Sequence, residues 1–373
     1  MVKKLEGAGL RGQVAGETSL CTVGQVEGLA YRGHKVETLA EKATFEEVAY
    51  LLLYGKLPTQ SELDNYKALL KSKRDLPQTL KEVLQKIPAS AHPMDVMRTG
   101  TSMLGNLEPE GDFANQLDAT NRMVATMASI VVYWYKFSHE GLDIDLVNDE
   151  DTLAGHFLHI LHGKTPSDLH RRVMDVSLIL YAEHEFNAST FTARVCASTM
   201  SDLHSCVVAA IGSLRGPLHG GANEKAMEMI ENWKTRDEAR ENILSMLANK
   251  EKIMGFGHAV YSERDPRNAV IKTYSKLLSE EFGDNSLYEV SDEVEKVMWD
   301  EKKLFANADF FHASAYYYMG IATKLFTPIF VMSRVTGWTA HCMEQRANNR
   351  IIRPSAEYTG PESSDWVDIQ DRT

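Results

Sequence analysis

An all-α chain of two helical domains is predicted from three observations: repeated helical periodicity with matching caps, few alternating stretches, and glycine clusters that break the helical pattern. Thr44 and Glu47 form a capping box ahead of Phe45–Tyr54, and Gly55 and Pro58 close that segment. Leu80, Val83, Leu84 and Ile87 keep the i, i+3, i+4, i+7 spacing, as do Ala226, Met229, Ile230 and Trp233. Pro328 suits the first turn of a long helix reaching toward Glu344. Only Thr18–Val23 and Gly28–Tyr31 alternate well enough for strands, so a minor sheet is expected there. The glycines of Gly212–Gly221 and Gly255–Gly257 flank segment 222–254 and place the start of a compact unit near residue 218. The segment Thr235–Glu241 and the acidic run Ser279–Asp292 read as solvated faces and loops.

With 373 residues the core needs no staples, because roughly three quarters of the unfolded surface of such a chain is buried. Forty Lys and Arg against 52 Asp and Glu give a net charge of −12, which argues against nucleic acid or an anionic membrane as the main partner. Cys21, Cys196, Cys206 and Cys342 have no CxxC spacing and read as reduced thiols in a cytoplasmic protein, with no metal site. MVKKLEGAGLRG lacks an apolar run after its lysines, so no signal peptide is expected. Segments 304–323 and 325–343 are each interrupted by a charge and read as buried helices, not membrane spans.

Several short motifs fail on context. Gly7, Gly9 and Gly12 match GxGxxG, but no strand precedes them, so a dinucleotide oxidoreductase is disfavoured. Gly163-Lys164-Thr165 lacks the earlier glycine of a phosphate loop, since that position is Leu158. His156, His159 and His162 have no carboxylate beside them and read as partly exposed helix histidines.

Isolated charges carry more information. Asp309 is the only formal charge between Lys303 and Lys324; burial raises a carboxylate's pKa and suits it to base work, while a helix N-cap is the plainer alternative. Arg334 is the sole charge from Leu325 to Met343, fit for a substrate carboxylate or a buried structural ion pair. His219 sits at a turn before a helix, where the positive helix start keeps an imidazole neutral and able to face a developing oxyanion. His258 follows Gly255 and Gly257, whose backbone can approach a ligand closely, and Arg267 lies nine residues on. Neutral imidazoles, one carboxylate base and arginines suit enolisation of a carbonyl compound and its addition to a keto acid.

At these residues the chain closely resembles the citrate synthase family, and within it the 2-methylcitrate synthases. The resemblance rests on GLRGQVAGETSLCTVG at 9–24, YRGHKVETLA at 31–40, AHPMDVMRTG at 91–100 and YAEHEFNASTFTARV at 181–195. It continues through GPLHGGANE at 216–224, MGFGHAVYSERDPR at 254–267, NADFFHASAYYYMGI at 307–321 and RIIRPSAEYTGP at 350–361. It implies a helical homodimer with a large domain at 1–217 and 319–373 carrying the dimer contact, and a small domain at 218–318 that closes over the substrates. Asp309 would take the α-proton of an acyl-CoA, His219 would bind the thioester oxygen, and His258 would polarise the ketone of oxaloacetate. His184, Arg267, Arg334 and Arg353 would hold the oxaloacetate carboxylates, Arg353 reaching in from the other subunit, with Arg74 a further substrate contact. Lys252, Ile253, Met254, Gly255 and Phe256 would pass along CoA, and Lys302 would meet a CoA phosphate. No cofactor beyond the CoA thioester substrate is implied. The beginning of the chain near GLRG and the segments at 91–100 and 307–321 favour the propionyl-CoA branch, with side activity on acetyl-CoA. Citrate synthase is the second reading, and a non-catalytic helical scaffold or regulatory protein the alternative from another class.

Overall fold

The computed structural model describes residues 9–10, 12–24 and 28–372. Gly7 and Arg11, which belong to the glycine motif and to the first family segment, lie outside the described residues. Among the described residues sixteen α-helices form the body, with one small antiparallel sheet near the N-terminus. Cys21–Gly24 pairs with Gly28–Tyr31 in the register Cys21 to Tyr31, and a two-residue strand, His34–Lys35, pairs on the other side. The first strand begins three residues later than its alternation suggests. The third was missed because two exposed residues carry no readable period.

The capping box at Thr44 and Glu47 forms as expected, and Gly55 ends the helix in the left-handed region. Helix Gln78–Gln85 buries Leu80 and Leu84, while Ile87 packs on the core from beyond its end. Helix Ala222–Ile230 likewise stops before Trp233. The segments at 304–323 and 325–343 hold helices Ala308–Tyr318 and Phe326–Ala347. The latter buries 18 of its 22 residues, so it is a core helix wrapped on all sides. No helix among the described residues is long and apolar enough to cross a membrane.

Two contacts fix this helix where the site needs it. Gly337 lies where a Cβ would stand 2.4 Å from the Ala182 carbonyl, so only glycine permits so close a crossing over residues 181–183. Nearby, Ser333 Oγ donates to the Leu178 carbonyl and Arg334 Nε donates to the Tyr181 carbonyl at 2.6 Å. Helix Phe326–Ala347 is thereby locked onto the end of helix Asp168–Tyr181.

A second junction is built on Asp265. Its Oδ1 caps helix Pro266–Phe282 by accepting from Arg267 N, and its Oδ2 accepts from Ala308 N, the first residue of helix Ala308–Tyr318. Two helix starts therefore converge on one carboxylate, which also takes a bidentate pair from the Arg267 guanidinium at 2.9 and 2.8 Å. His156 departs from the sequence reading. It is fully buried, between Ser129 Oγ at 3.2 Å and Asn148 Nδ2 at 2.8 Å, and burial lowers its pKa to about 3.

Candidate active site

Residues 181, 219, 258, 267, 309 and 334, drawn from helix ends, loops and the body of helix Phe326–Ala347, line a cavity of about 1220 Å³. Asp309 stands in the first turn of its helix, but the N-cap is Asn307, whose side chain accepts from Asp309 N at 3.0 Å. The capping alternative therefore falls, and the carboxylate is free to line the cavity. Tyr181 donates its phenol proton to Asp309 Oδ1 at 2.6 Å. Burial raises the Asp309 pKa above the usual carboxylate value, against the opposing pull of Tyr181, Arg267 and Arg334.

His219 Nε2 accepts from the backbone N–H of Ser189 at 3.2 Å and lies 2.8 Å from Ser189 Oγ. A backbone N–H only donates, so the ring proton belongs on Nδ1. Ser189 itself is held by Asn187 Oδ1 and by Trp338 Nε1. Burial first and Arg334 second lower the His219 pKa to about 4, so the ring stays neutral until the pH falls that far. His258 follows the same logic with its nitrogens exchanged. Its Nδ1 accepts from the N–H groups of Val260 and Tyr261 at 3.1 and 3.3 Å, which leaves Nε2 as the donor. Each histidine is thus a neutral imidazole carrying one N–H.

His184 lies 3.1 Å from Tyr261 Oη and 5.0 Å, centroid to centroid, from the His258 ring. Burial, then Arg267, holds its pKa well below the ordinary value. Arg334 forms no ion pair among the described residues, which removes the structural-pair alternative for it. Its guanidinium sits 4.6 Å over the Phe330 ring and faces the cavity. Burial disfavours its charge, a cost that an incoming carboxylate relieves.

The loop at 252–260 forms one wall. Phe256 bridges to Ala306, Gly257 N donates to Phe305 O at 2.8 Å, and Asn307 N donates to Gly255 O at 2.9 Å. This strap keeps His258 in register with Asp309. Gly255 has φ +86° and Gly257 φ +72°; a Cβ at Gly255 would stand 3.0 Å from Phe310. Gly255→Ala is expected to cost on the order of 1–3 kcal/mol, read by chemical denaturation, because both the backbone region and the space oppose it.

Eleven of the residues singled out by sequence line this cavity: His184, His219, Lys252–Phe256, His258, Arg267, Asp309 and Arg334. Arg74 does not. It is buried away from the cavity, with Nη1 on the Glu150 carbonyl at 2.5 Å and its own carbonyl accepting from Ser129, which ties the segment after helix Gln60–Ser72 to the one before helix Leu153–His162 and to helix Gln116–Tyr135. Lys302 is exposed in the last turn of helix Ser286–Lys302, where a cation complements the helix dipole, and it lies outside the lining. Arg353 is exposed in the tail beyond helix Phe326–Ala347, which is anchored nearby by Ile352 N on Ser198 Oγ at 3.0 Å. Tyr181, Ser189 and Asp265 were not singled out. An Asp-Pro pair at a helix start is a readable cap, but Tyr181 and Ser189 carry no local signal of their long-range partners.

A partly buried carboxylate, two imidazoles that each carry one N–H, and buried guanidiniums around one cavity suit a carbon–carbon bond-forming acyltransferase. The family model described as "Citrate synthase, C-terminal domain" matches residues 9–355. A 2-methylcitrate synthase of Shewanella oneidensis is 66% identical over 371 residues, covering 99% of each chain. A citrate synthase of Deinococcus radiodurans is 40% identical, covering 98% of each. Among solved structures, the Thermoplasma acidophilum citrate synthase in ternary complex with carboxymethyl coenzyme A and oxaloacetate superposes with a TM-score of 0.90 at 30% identity, covering 97% of this chain and 98% of that one. The chain belongs to the citrate synthase family.

Proposed function

We propose that the chain is a 2-methylcitrate synthase, joining propionyl-CoA and oxaloacetate with water to give 2-methylcitrate and CoA. The observation that carries the chemistry is the meeting of Asp309, His219 and His258 in one arginine-lined cavity. The 66% identity to the Shewanella enzyme supports the propionyl branch.

In this reading Asp309 removes a proton from C2 of the acyl group. The Nδ1–H of His219 meets the thioester oxygen, where negative charge develops. The enol carbon attacks the ketone of oxaloacetate while the Nε2–H of His258 donates to that oxygen and passes its proton on. Water then hydrolyses the new thioester, its proton restoring the N–H of His258, while the proton held by Asp309 leaves with CoA as the free thiol. His184, Arg267 and Arg334 hold the oxaloacetate carboxylates, joined in a homodimer by Arg353 of the partner subunit. The loop Lys252–Phe256 receives CoA. Segment 218–318 closes as a lid, with Gly216, Gly220 and Gly221 as hinge points, because an enolate must be kept from water until it meets the ketone.

One extra methylene in an apolar pocket is worth only about 1–3 kcal/mol, so acetyl-CoA is expected to turn over as a poorer substrate. Release of free thiol with oxaloacetate, compared at matched propionyl-CoA and acetyl-CoA, tests the assignment. A higher kcat/KM for propionyl-CoA supports it. A preference for acetyl-CoA makes the chain a citrate synthase, and no release with either removes the enzymatic reading.

A further inference from the structure

Tyr181 occupies a junction that the proposed chemistry leaves without a role. Its phenol donates to Asp309 Oδ1 at 2.6 Å, and its backbone carbonyl accepts from Arg334 Nε at 2.6 Å. The ring is buried and clamped on both faces, by His312 at 4.3 Å and by Phe330 at 4.2 Å between centroids. Phe330 in turn carries the Arg334 guanidinium and meets the His219 ring edge-on at 6.4 Å. One rigid side chain therefore touches the carboxylate proposed as base, while its main chain fixes the guanidinium proposed to bind the keto acid.

We propose that Tyr181 is a positioning residue for the condensation: its hydroxyl occupies Oδ1 of Asp309, so that Oδ2 is the oxygen that takes the α-proton, and its carbonyl sets Arg334 at a fixed offset from that oxygen. This rests on the function proposed above. The phenol can keep this duty throughout the working range, because burial and then the Asp309 charge hold its pKa well above 10. It remains a donor.

The groups that act on Asp309 come from three elements. Asp265 and Arg267 lie at the start of helix Pro266–Phe282, Arg334 on helix Phe326–Ala347, and Tyr181 itself on helix Asp168–Tyr181, against which His312 packs while Tyr316 adds to the field around it. Asp265 is already neutralised by its bidentate pair with Arg267, and His312 is held neutral by burial, its pKa near 3. Tyr181 is the neutral hydrogen-bond donor on the carboxylate, so its removal should raise the pKa of Asp309 further.

The test is Tyr181→Phe beside the parent enzyme, with site-specific 3,5-difluorotyrosine at 181 as a nearly isosteric second variant. In Tyr181→Phe the acid limb of the kcat profile is expected to move up by about one pH unit, and kcat at neutral pH to fall about tenfold. KM for oxaloacetate should change less than about threefold, since the carbonyl that holds Arg334 remains. The more acidic difluorophenol is a stronger donor and should move the limb the other way. Limbs that superpose for all three proteins, or a loss expressed wholly in KM, would overturn the proposal. The carboxyl titration of Asp309, followed by ¹³C NMR and assigned with Asp309→Asn, reads the same coupling without turnover. Thus a parent enzyme that releases no thiol sinks the function, whereas an Asp309 titration identical in parent and variants sinks the role of Tyr181.

Discussion

Asp309→Asn is expected to fold like the parent and to lose condensation by roughly 10³-fold or more, the scale of a positioned general base. Folding should survive because the cap belongs to Asn307, and an amide oxygen at 309 can still accept from Tyr181. Circular dichroism and thermal unfolding check the fold, and thiol release checks the rate. The parent's pH profile has a defined sign. Burial raises the Asp309 pKa, and the base works only when ionised, so kcat should fall as pH drops through that raised value. Titration of His219 near 4 would deepen the loss only at the acid end. A variant with near-parental turnover would remove Asp309 from the role of base.

His258→Ala is expected to lower kcat by about 10²–10³-fold, the usual effect of deleting one preorganised donor to a developing oxyanion. The ring lines the cavity and its Nδ1 is committed to the N–H groups of Val260 and Tyr261, so the donor lost is the Nε2–H. KM for the acyl-CoA should stay within a few-fold, because the strap from Phe256 to Ala306 still fixes the loop at 252–260 that walls the cavity. A parallel rise in KM with unchanged kcat would show instead that the ring only binds substrate.

The helical class was legible because periodicity and caps are local signals. Thr44 with Glu47, and the solitary charges Asp309 and Arg334, all stand out within about twenty residues of chain. Local pattern alone left Asp309 between cap and base; the structure decided for the cavity because Asn307, one turn-start earlier, already serves as cap. Arg334 was similarly open until its surroundings showed Phe330 and the Tyr181 carbonyl in place of a carboxylate. The hydrogen bond that fixes the His219 tautomer joins residues 189 and 219, and the bond on Asp309 spans 128 residues. Such pairings depend on how helices pack and leave no trace in spacing. Arg74 shows the converse, since a motif match gave it a ligand while packing gave it the Glu150 carbonyl.

Exchange of the α-hydrogens of propionyl-CoA with D₂O, in the presence of an unreactive keto-acid analogue of oxaloacetate, isolates proton removal from bond formation. The parent and His258→Ala should both place deuterium at C2, and Asp309→Asn should not. Exchange by Asp309→Asn at the parent's rate, or none by a parent that still condenses, would contradict a mechanism in which that carboxylate opens the reaction.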